Sequence, residues 1–251
     1  MVELALAAHG NYLAARRCVG EAVPGGTVRE EGGWLVLEGP TRLRGARAAV
    51  LEGVEGPATV DAISWATGWA GTTGALVLRD TDTWANRLAV TAGFRPEGHA
   101  EVAMASPLDR RPAGADNGVV HVRVSSTADL KQYVRLITEE NGLAPQTALA
   151  LTRSVAAVPG VELHLLKAED VVVARSMTCT WDGVCGLYNV YVPPAFRGRG
   201  FGRAVSLASL EAGFEAGARL ACLQANEAGL PLYRSMGFHA LYHYLTLTKS
   251  Q

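Results

Sequence analysis

The stretch Val190-Tyr191-Val192-Pro193-Pro194-Ala195-Phe196-Arg197-Gly198-Arg199-Gly200-Phe201-Gly202-Arg203 decides the fold of this chain. An apolar run of β character ends at two prolines, a loop rich in glycine and arginine follows, and an amphipathic helix then begins. The start of a helix exposes backbone N–H groups at the positive end of the helix dipole, which favours a bound anion. Glycines let the backbone approach that anion closely, and arginines add charge. The stretch therefore predicts a phosphate-binding loop between a strand and a helix.

The bulk composition is typical of a globular chain. The chain has 251 residues, of which 49% are hydrophobic, and its net charge is −1. This length suits one large domain or two of ordinary size, and the near-neutral charge argues against a general nucleic-acid binder. No apolar run reaches the ~18 residues that a membrane span needs, and the start Met1-Val2-Glu3-Leu4 does not resemble a signal peptide. We therefore expect a cytoplasmic protein with no nucleic-acid or membrane partner.

The four cysteines are Cys18, Cys179, Cys185 and Cys222. They form no C-x-x-C pair, and no His/Cys cluster has the spacing of zinc ligands, so no metal is predicted. Buried, reduced thiols are the main expectation. A strained bridge between Cys179 and Cys185, across a turn at Asp182-Gly183, is the alternative.

A linker-like stretch divides the chain. Residues 109–118, Asp109-Arg110-Arg111-Pro112-Ala113-Gly114-Ala115-Asp116-Asn117-Gly118, are polar and rich in proline and glycine, and apolar periodicity stops there. We place a domain boundary at this stretch. The predicted domains are residues 1–110 and residues 118–251.

The second domain alternates strands and helices. Ser125, Ser126 and Thr127 can cap a helix that Gly142 ends, and Asp182-Gly183 is a strong hairpin signal. The predicted elements are strand Val119–Val124, helices Ala128–Asn141 and Pro145–Val158, strands Val161–Lys167, Val171–Thr180 and Val184–Val192, helix Phe201–Ala216, strand Arg219–Ala225, helix Ala228–Met236 and strand His239–Thr248. This order predicts a mixed α/β sheet with the phosphate loop at a strand-to-helix junction.

The first domain shows a weaker copy of the same order. Its predicted elements are helix Asn11–Val19, strands Trp34–Leu37 and Ala46–Leu51, helix Ala58–Trp69, strand Ala75–Arg79, helix Trp84–Ala92 and a last strand that opens at Phe94. The segments Asn86–Phe94 and Leu230–Phe238 are both short helices that end in Gly-Phe before a strand. Glycine after a helix is common, but the matching order of the neighbouring elements favours an internal repeat.

The motifs of the second domain resemble the GNAT acetyltransferase superfamily. The resemblance rests on Arg197-x-x-Gly200-x-Gly202 after a strand, then Asn226 and Leu232-Tyr233-x-x-x-Gly237-Phe238. It covers residues 118–251, and the first domain resembles a degenerate copy. The implied fold is the acyl-CoA N-acyltransferase fold, an α/β (α+β) fold with a mixed, mostly antiparallel sheet flanked by helices, in two tandem copies. The implied activity is that of an acetyl-CoA-dependent N-acetyltransferase.

The resemblance also implies a binding site. Acetyl-CoA would lie where the strand ending at Val192 separates from the strand ending at Ala225. The arginine and glycine loop would surround the pyrophosphate, and strand backbone together with Asn226 would hold the pantetheine arm. The implied cosubstrate-binding residues are Val190, Tyr191, Val192, Arg197, Gly198, Arg199, Gly200, Phe201, Gly202, Arg203 and Asn226.

The residue types suit acyl transfer from a thioester. Such a reaction needs a neutral amine, a polarised carbonyl and a protonated leaving group. A backbone N–H at the separated strand can be the oxyanion donor. The family comparison directs the hydroxyl of Tyr233 at the sulfur, where it would be the general acid for the CoA thiolate.

The general base stays open. Many relatives use a glutamate on the strand before the loop, but here that strand reads Gly186-Leu187-Tyr188-Asn189-Val190 and has no carboxylate. The candidates by residue type are Glu139, Glu140, His164 and Tyr188. A base acting through water, or an amine that arrives neutral, would need none of them.

The first domain departs from the pattern at its loop. The loop Glu52-Gly53-Val54-Glu55-Gly56-Pro57 has two glutamates and no arginine, and Ala89 stands where the second domain has Tyr233. Acidic side chains would repel a pyrophosphate. We expect this half not to bind CoA productively and to shape the acceptor cleft.

Three functions are left open by the sequence. The first is acetylation of a small primary amine, which the near-neutral charge and the extra half favour. The second is acetylation of a protein or peptide, and the third is a non-catalytic acyl-CoA-binding module. A P-loop is unsupported because G-x-x-x-x-G-K-[ST] is missing and the first lysine is Lys131. The acceptor and the oligomeric state cannot be read from the sequence.

Overall fold

The computed structural model describes residues 2–39, 47–53, 58–71, 73–98, 100–112 and 118–249. Its elements in chain order are α1 Val2–Ala22, β1 Thr27–Glu31, β2 Trp34–Glu38, β3 Ala48–Leu51, α2 Ala58–Ala70, β4 Ala75–Arg79, α3 Thr83–Thr91, β5 Phe94–Pro96, β6 Glu101–Pro107, β7 Val119–Arg123, α4 Thr127–Asn141, α5 Pro145–Ala156, β8 Val161–Ala168, β9 Val171–Trp181, β10 Val184–Tyr191, α6 Phe201–Glu215, β11 Leu220–Ala225, α7 Leu230–Ser235 and β12 His239–Lys249. A short 3-10 turn covers Pro194–Phe196.

The described strands form one sheet. Its order is β1-β2-β3-β4-β12-β6-β11-β10-β9-β8-β7, and β5 pairs with the end of β12. Among the described strands, the β3–β4 and β10–β11 pairs are parallel and the others are antiparallel. The prediction of a mixed, mostly antiparallel sheet flanked by helices is therefore confirmed.

The last strands of the two halves exchange places in this sheet. Strand β6 comes from the first half, yet it pairs with β11, where Val102 lies opposite Ala225. Strand β12 comes from the second half, yet it pairs with β4, where Leu247 lies opposite Leu76. The two exchanged strands also pair with each other. The halves thus share one hydrogen-bonded sheet, and the division into domains at residues 109–118 stays a prediction.

Helices cover both faces of the sheet. Successive side chains of a strand point to opposite faces, and β4 shows this: Leu76 and Leu78 pack with α2 and α3, whereas Val77 packs with Tyr12 of α1. Helices α1, α4 and α5 contribute to one buried cluster, and α6 and α7 contribute to another with β6, β10 and β11. Helix α1 therefore lies on the face opposite α6 and the arginine and glycine loop that precedes it.

Local signals place α4 where the sequence predicts it. The Ser126 side chain accepts a hydrogen bond from the backbone N–H of Asp129, which satisfies a free donor of the first turn. At the other end, Gly142 has φ +66°, a conformation that favours glycine.

Several predictions for the first half need correction. Helix α1 is longer than the predicted Asn11–Val19, because the alanine-rich residues before Asn11 are also good helix formers. Strand β1 was not predicted, since Thr27–Glu31 is a polar segment at the edge of the sheet. The single predicted last strand consists of β5 and β6. Ala46, residues 54–57 of the acidic loop and residues 113–117 of the linker lie outside the described residues.

All four cysteines are free thiols, so the alternative Cys179–Cys185 bridge is not formed. Cys179, Cys185 and Cys222 are buried, as expected, and Cys18 is half-buried. None of the described helices has the length and apolar character needed to cross a membrane.

Candidate functional site

A cleft opens where β10 and β11 separate. The two strands pair from Val184 and Leu220 to Leu187 and Leu223, and the pairing then stops. Strand β10 carries a bulge between Tyr188 and Tyr191, within which Asn189 has φ +52°. Asparagine adopts this left-handed conformation more readily than most residues. The cleft has a volume of about 900 Å³.

The arginine and glycine loop forms one end of this cleft. Gly198 and Gly200 have φ of +75° and +81°, where an L side chain would be strained. Gly200 is the N-cap residue of α6, and no described side chain caps this helix. The N–H groups of the first turn of α6 are therefore available to an anion in the cleft.

Most of the predicted site residues lie together. Those that line the cleft are Val190, Val192, Arg197, Gly198, Gly200, Phe201, Gly202, Arg203, Asn226 and Tyr233. Within this set, Arg197 Nε donates to the Val192 carbonyl at 3.0 Å, and Arg203 Nη1 donates to Ser235 Oγ at 3.1 Å. These two bonds hold the arginines against the strand and against α7.

Two predicted residues do not line the cleft. The ring of Tyr191 packs in the cluster that α1, α4 and α5 cover, and its hydroxyl donates to Glu139 at 3.3 Å. The Arg199 guanidinium lies 5.9 Å from the centroid of the Phe196 ring. The loop motif does not determine the direction of each side chain, and these two side chains lie outside the cleft lining.

Tyr233 combines burial with access to the cleft. Only 7% of the residue is exposed, and its ring packs edge to face with Phe238. Burial raises the pKa of the Tyr233 hydroxyl, and a hydrogen bond with Ser206 opposes part of this shift. The hydroxyl therefore keeps its proton at neutral pH. Nearby, Asn226 Oδ1 accepts from the Gly229 N–H at 2.9 Å and fixes the turn before α7.

Two of the candidate bases are engaged elsewhere. His164 is fully buried, its ring nitrogens lie 3.1 Å from His121 and 2.8 Å from the Thr178 hydroxyl, and it does not line the cleft. Burial lowers the pKa of His164 to about 3. Tyr188 lines the cleft, but its hydroxyl donates to Asn11 Oδ1 at 2.6 Å, and burial raises its pKa well above the ordinary value. Neither group is placed to take a proton from an amine.

The other two candidates are carboxylates of α4. Glu139 accepts the hydrogen bond from Tyr191, away from the cleft lining. Glu140 does line the cleft, and its carboxylate forms an ion pair with Arg175. Arg175 is 1% exposed, so it depends on this partner for charge compensation.

Sequence reasoning missed Arg175. Its Nη1 donates to the Asn189 carbonyl at 2.7 Å, and its guanidinium lies 5.4 Å from the ring centroids of both Tyr133 and Tyr191. Arg175 thereby holds the backbone of the β10 bulge at Asn189. A charged residue directly after the apolar run Val171–Ala174 was the available signal, because buried strands rarely carry an arginine without a partner.

Helix α1 is anchored to β10 by a second missed residue. Asn11 is buried, and its Nδ2 donates to the carbonyls of Cys179 and Val184 at 3.0 Å each. A Cβ on Gly186 would lie 2.0 Å from Asn11 Oδ1, so only glycine fits opposite this side chain. The anchor brings Tyr12, Ala15, Arg16 and Val19 of α1 to the cleft lining.

In the first half, a histidine of α1 lies at the end of β3. The carbonyl of Leu51, at the end of β3, lies 3.0 Å from His9 Nε2, and His9 Nδ1 lies 2.7 Å from the Tyr244 hydroxyl. Because a carbonyl only accepts, Nε2 carries the proton and Nδ1 accepts from Tyr244. Burial lowers the pKa of His9 to about 4. A Cβ on Gly53 would lie 3.3 Å from Arg79 Nη2, so the Arg79 side chain occupies the space beside the start of the loop.

The comparisons with known proteins agree with this geometry. Residues 138–238 match the model of the Acetyltransferase (GNAT) family. The match lies in the C-terminal half of the chain and includes the arginine and glycine loop, Asn226 and Tyr233. Members of this family transfer acyl groups from acetyl-CoA. The match therefore supports acyl-CoA-dependent N-acetyl transfer as the general reaction.

Solved structures share the fold over nearly the whole chain. A GCN5-related N-acetyltransferase from Kribbella flavida has a TM-score of 0.70 at 18% identity, covering 95% of this chain and 96% of its own. A tandem GNAT protein from the clavulanic acid biosynthesis pathway has a TM-score of 0.65 at 14% identity, covering 95% and 93%. A GCN5-related N-acetyltransferase from Sphaerobacter thermophilus has a TM-score of 0.60 at 21% identity, covering 74% and 65%. No curated protein matched the sequence. The predicted GNAT resemblance and fold class are confirmed, and at these identities the structural likeness concerns the fold alone.

Proposed function

We propose that this protein is an acetyl-CoA-dependent N-acetyltransferase that acetylates a primary amine of a small molecule. The observation that carries the proposal is the uncapped start of α6. It opens, with Gly198 and Gly200, into a cleft that runs between two separated strands to Tyr233. This arrangement suits a long ligand with an anion at one end and a reactive group in the middle.

The binding mode follows from the lining residues. The pyrophosphate lies at the loop 197–203, where backbone N–H groups and the arginines meet it. Backbone groups of Val190 and Val192 pair with the pantetheine arm, and Asn226 contacts it from the other strand. Tyr191 takes part through its backbone only, and Arg199 contributes charge from outside the cleft.

The chemistry uses two groups of this chain. The neutral amine attacks the carbonyl carbon of the thioester, and a backbone N–H beside the bulge of β10 stabilises the oxygen that becomes negative. The C–S bond then breaks, and Tyr233 donates its proton to the thiolate. Since burial raises the pKa of Tyr233, the hydroxyl is protonated when the thiolate leaves.

The acceptor end of the cleft favours a small molecule. Helix α1 lies across the face opposite α6, and its residues Tyr12, Ala15 and Val19 line the cleft there. A helix in this position encloses the acceptor end, whereas a peptide acceptor needs an open groove.

The test is an acetyl-transfer assay with purified protein and acetyl-CoA. The acceptors are a panel of small primary amines and, separately, a lysine-containing peptide. Release of the CoA thiol and the mass of the acetylated product are measured. We expect acetylation of small amines and none of the peptide. Failure to bind acetyl-CoA, or acetylation of the peptide alone, would contradict the proposal.

A further inference from the structure

The strand exchange brings a glutamate of the first half to the cleft of the second. Val102 of β6 lies opposite Ala225, the last residue of β11, so Glu101 stands one residue further along, beside the point where β11 leaves the sheet. Glu101 lines the same cleft as Tyr233. A residue of the chain's first half thereby becomes part of the candidate site.

Strand alternation fixes the face on which Glu101 lies. Ala103, two residues away, packs with Tyr12 in the cluster that α1 covers. Glu101 is therefore on the α1 face, opposite the arginine and glycine loop, which is the acceptor end of the cleft. The charge of Glu101 also acts on the Tyr12 phenol: burial raises the pKa of Tyr12, Arg16 opposes this shift, and the Glu101 carboxylate adds to it.

Glu101 differs from the other carboxylate of the cleft lining. Within the described residues, Glu101 and Glu140 are the two carboxylates that line the cleft. Glu140 is held by the buried Arg175. Glu101 is exposed to the cleft, and its carboxylate has no hydrogen bond or ion pair with another described residue.

The cleft lining near Glu101 combines apolar side chains with one cation, Arg16 of α1. Tyr12, Ala15 and Val19 of α1 and Met177 of β9 line the same end of the cleft. An acceptor that fills this space needs a cationic group for the carboxylate and an apolar body for the remaining lining.

We propose that Glu101 binds the acceptor, a primary ammonium on an apolar body, and takes its proton before the attack on the thioester. This inference rests on the proposed function. The ammonium gives one proton to the Glu101 carboxylate and becomes the neutral nucleophile. The C–N bond forms and the C–S bond breaks, and Tyr233 gives its proton to the thiolate. The nitrogen loses one further proton as it becomes the amide, and this proton replaces the one that Tyr233 gave. Glu101 returns its proton to solvent, so the products are the amide, free CoA and one proton.

The test compares Glu101→Gln with Glu101→Asp and with the control Glu97→Gln. Glu97 is exposed and lies outside the cleft lining, so its substitution makes the same change of charge without touching the site. The probes are butylamine and 2-phenylethylamine with acetyl-CoA, and acetyl-CoA affinity is measured for every variant. We expect Glu101→Gln to lower kcat/KM for the amine by about 10²–10⁴-fold, as for loss of a general base. Glu101→Asp should retain more activity than Glu101→Gln, and acetyl-CoA affinity should change less than twofold.

Each of the other outcomes would overturn one defined part of the proposal. If a probe amine is acetylated equally well by Glu101→Gln and the parent protein, the role of Glu101 is wrong and the proposed function stands. If acetyl-CoA binds but neither probe is acetylated, the acceptor class is wrong. If acetyl-CoA does not bind, the proposed function fails and this inference fails with it.

Discussion

The two halves of the chain repeat one plan and differ at the point where the chemistry would occur. Each has a strand, a loop, a helix and a second parallel strand followed by a short helix: β3, α2, β4 and α3 in the first half, and β10, α6, β11 and α7 in the second. In the second half, the strands separate into a cleft lined by Tyr233. In the first half, His9 takes the Leu51 carbonyl, and Ala89 is buried in the core. Among the described residues, the second copy therefore opens into a cleft, whereas in the first copy a buried histidine lies at the equivalent strand end.

The first half contributes to the cleft of the second. Helix α1 and strand β6 belong to the first half, yet they supply Tyr12, Arg16 and Glu101 to the cleft lining. The comparison therefore predicts catalytic effects for the second half and effects on stability for the residues that close the first.

The largest expected effect is that of Tyr233→Phe. Removing the hydroxyl should lower kcat by about 10²–10⁴-fold, because the thiolate loses its proton donor, and should leave acetyl-CoA affinity within about twofold. Steady-state rates and isothermal titration give the two quantities. The matched change is Tyr242→Phe on β12. It removes a hydroxyl that lies 3.2 Å from the Tyr244 hydroxyl and outside the cleft lining, so it should leave kcat unchanged. Equal losses in the two variants would remove the distinction between the halves.

The next expected effect is a loss of folding stability at acid pH, caused by the buried His9. The pKa of His9 is about 4 in the folded chain, against an ordinary value of 6.5, so the unfolded chain binds the proton first as the pH falls. Stability from this group is complete above pH 6.5 and is lost as the pH falls to about 4, by about 3 kcal/mol. His9→Gln should make the difference in unfolding free energy between pH 7 and pH 4 smaller by this amount. Denaturant titrations at both values measure it, with the exposed His239→Gln as control. An unchanged difference would mean that His9 is not buried neutral.

A smaller effect is expected where α1 is anchored to β10. An added Cβ at Gly186 would lie 2.0 Å from Asn11 Oδ1 and 2.4 Å from the Tyr188 ring, so Gly186→Ala should destabilise the fold by about 1–3 kcal/mol. Gly10→Ala on α1 is the matched control, since no atom lies within 4 Å of its added Cβ. It should stabilise the helix by up to about 1 kcal/mol. Thermal denaturation should separate the two, and a neutral Gly186→Ala would disprove the close contact.

The smallest expected effect is that of Arg197→Ala on cosubstrate binding. One exposed arginine at the loop contributes about 1.4 kcal/mol to a phosphate contact, so acetyl-CoA affinity should fall about tenfold. Arg87→Ala removes the same charge from an exposed position on α3 of the first half and should have no effect. Titration of both variants with acetyl-CoA checks this, and a similar fall in both would indicate a general effect of charge.

Local signals made the second half readable from the sequence. Ser126, Gly142 and the turn at Asp182-Gly183 each act on neighbouring residues, so the bounds of α4, β9 and β10 follow within a few positions. The loop glycines are equally local, because their positive φ depends on the residue itself. The resemblance to the GNAT superfamily, and not these local signals, placed Arg197, Gly200 and Tyr233 along one cleft before the structure.

The pairing between strands that are far apart in the sequence could not be predicted from the sequence. Nothing within the segments of β6 and β12 specifies that each strand pairs across the halves. Asn11, Arg175 and Glu101 reach the cleft through such long-range placement, so sequence spacing gave no sign of their roles. The side chains of Tyr191 and Arg199 fall outside the lining for a related reason, since strand register and loop path set their direction.

The first measurement is isothermal titration of the purified protein with acetyl-CoA, with the number of sites per chain as the readout. We predict one site, because the second half presents an open cleft, whereas His9 and Arg79 lie at the end of β3 in the first half. A stoichiometry of two would contradict the difference between the halves, and no binding would contradict the function proposed for the cleft.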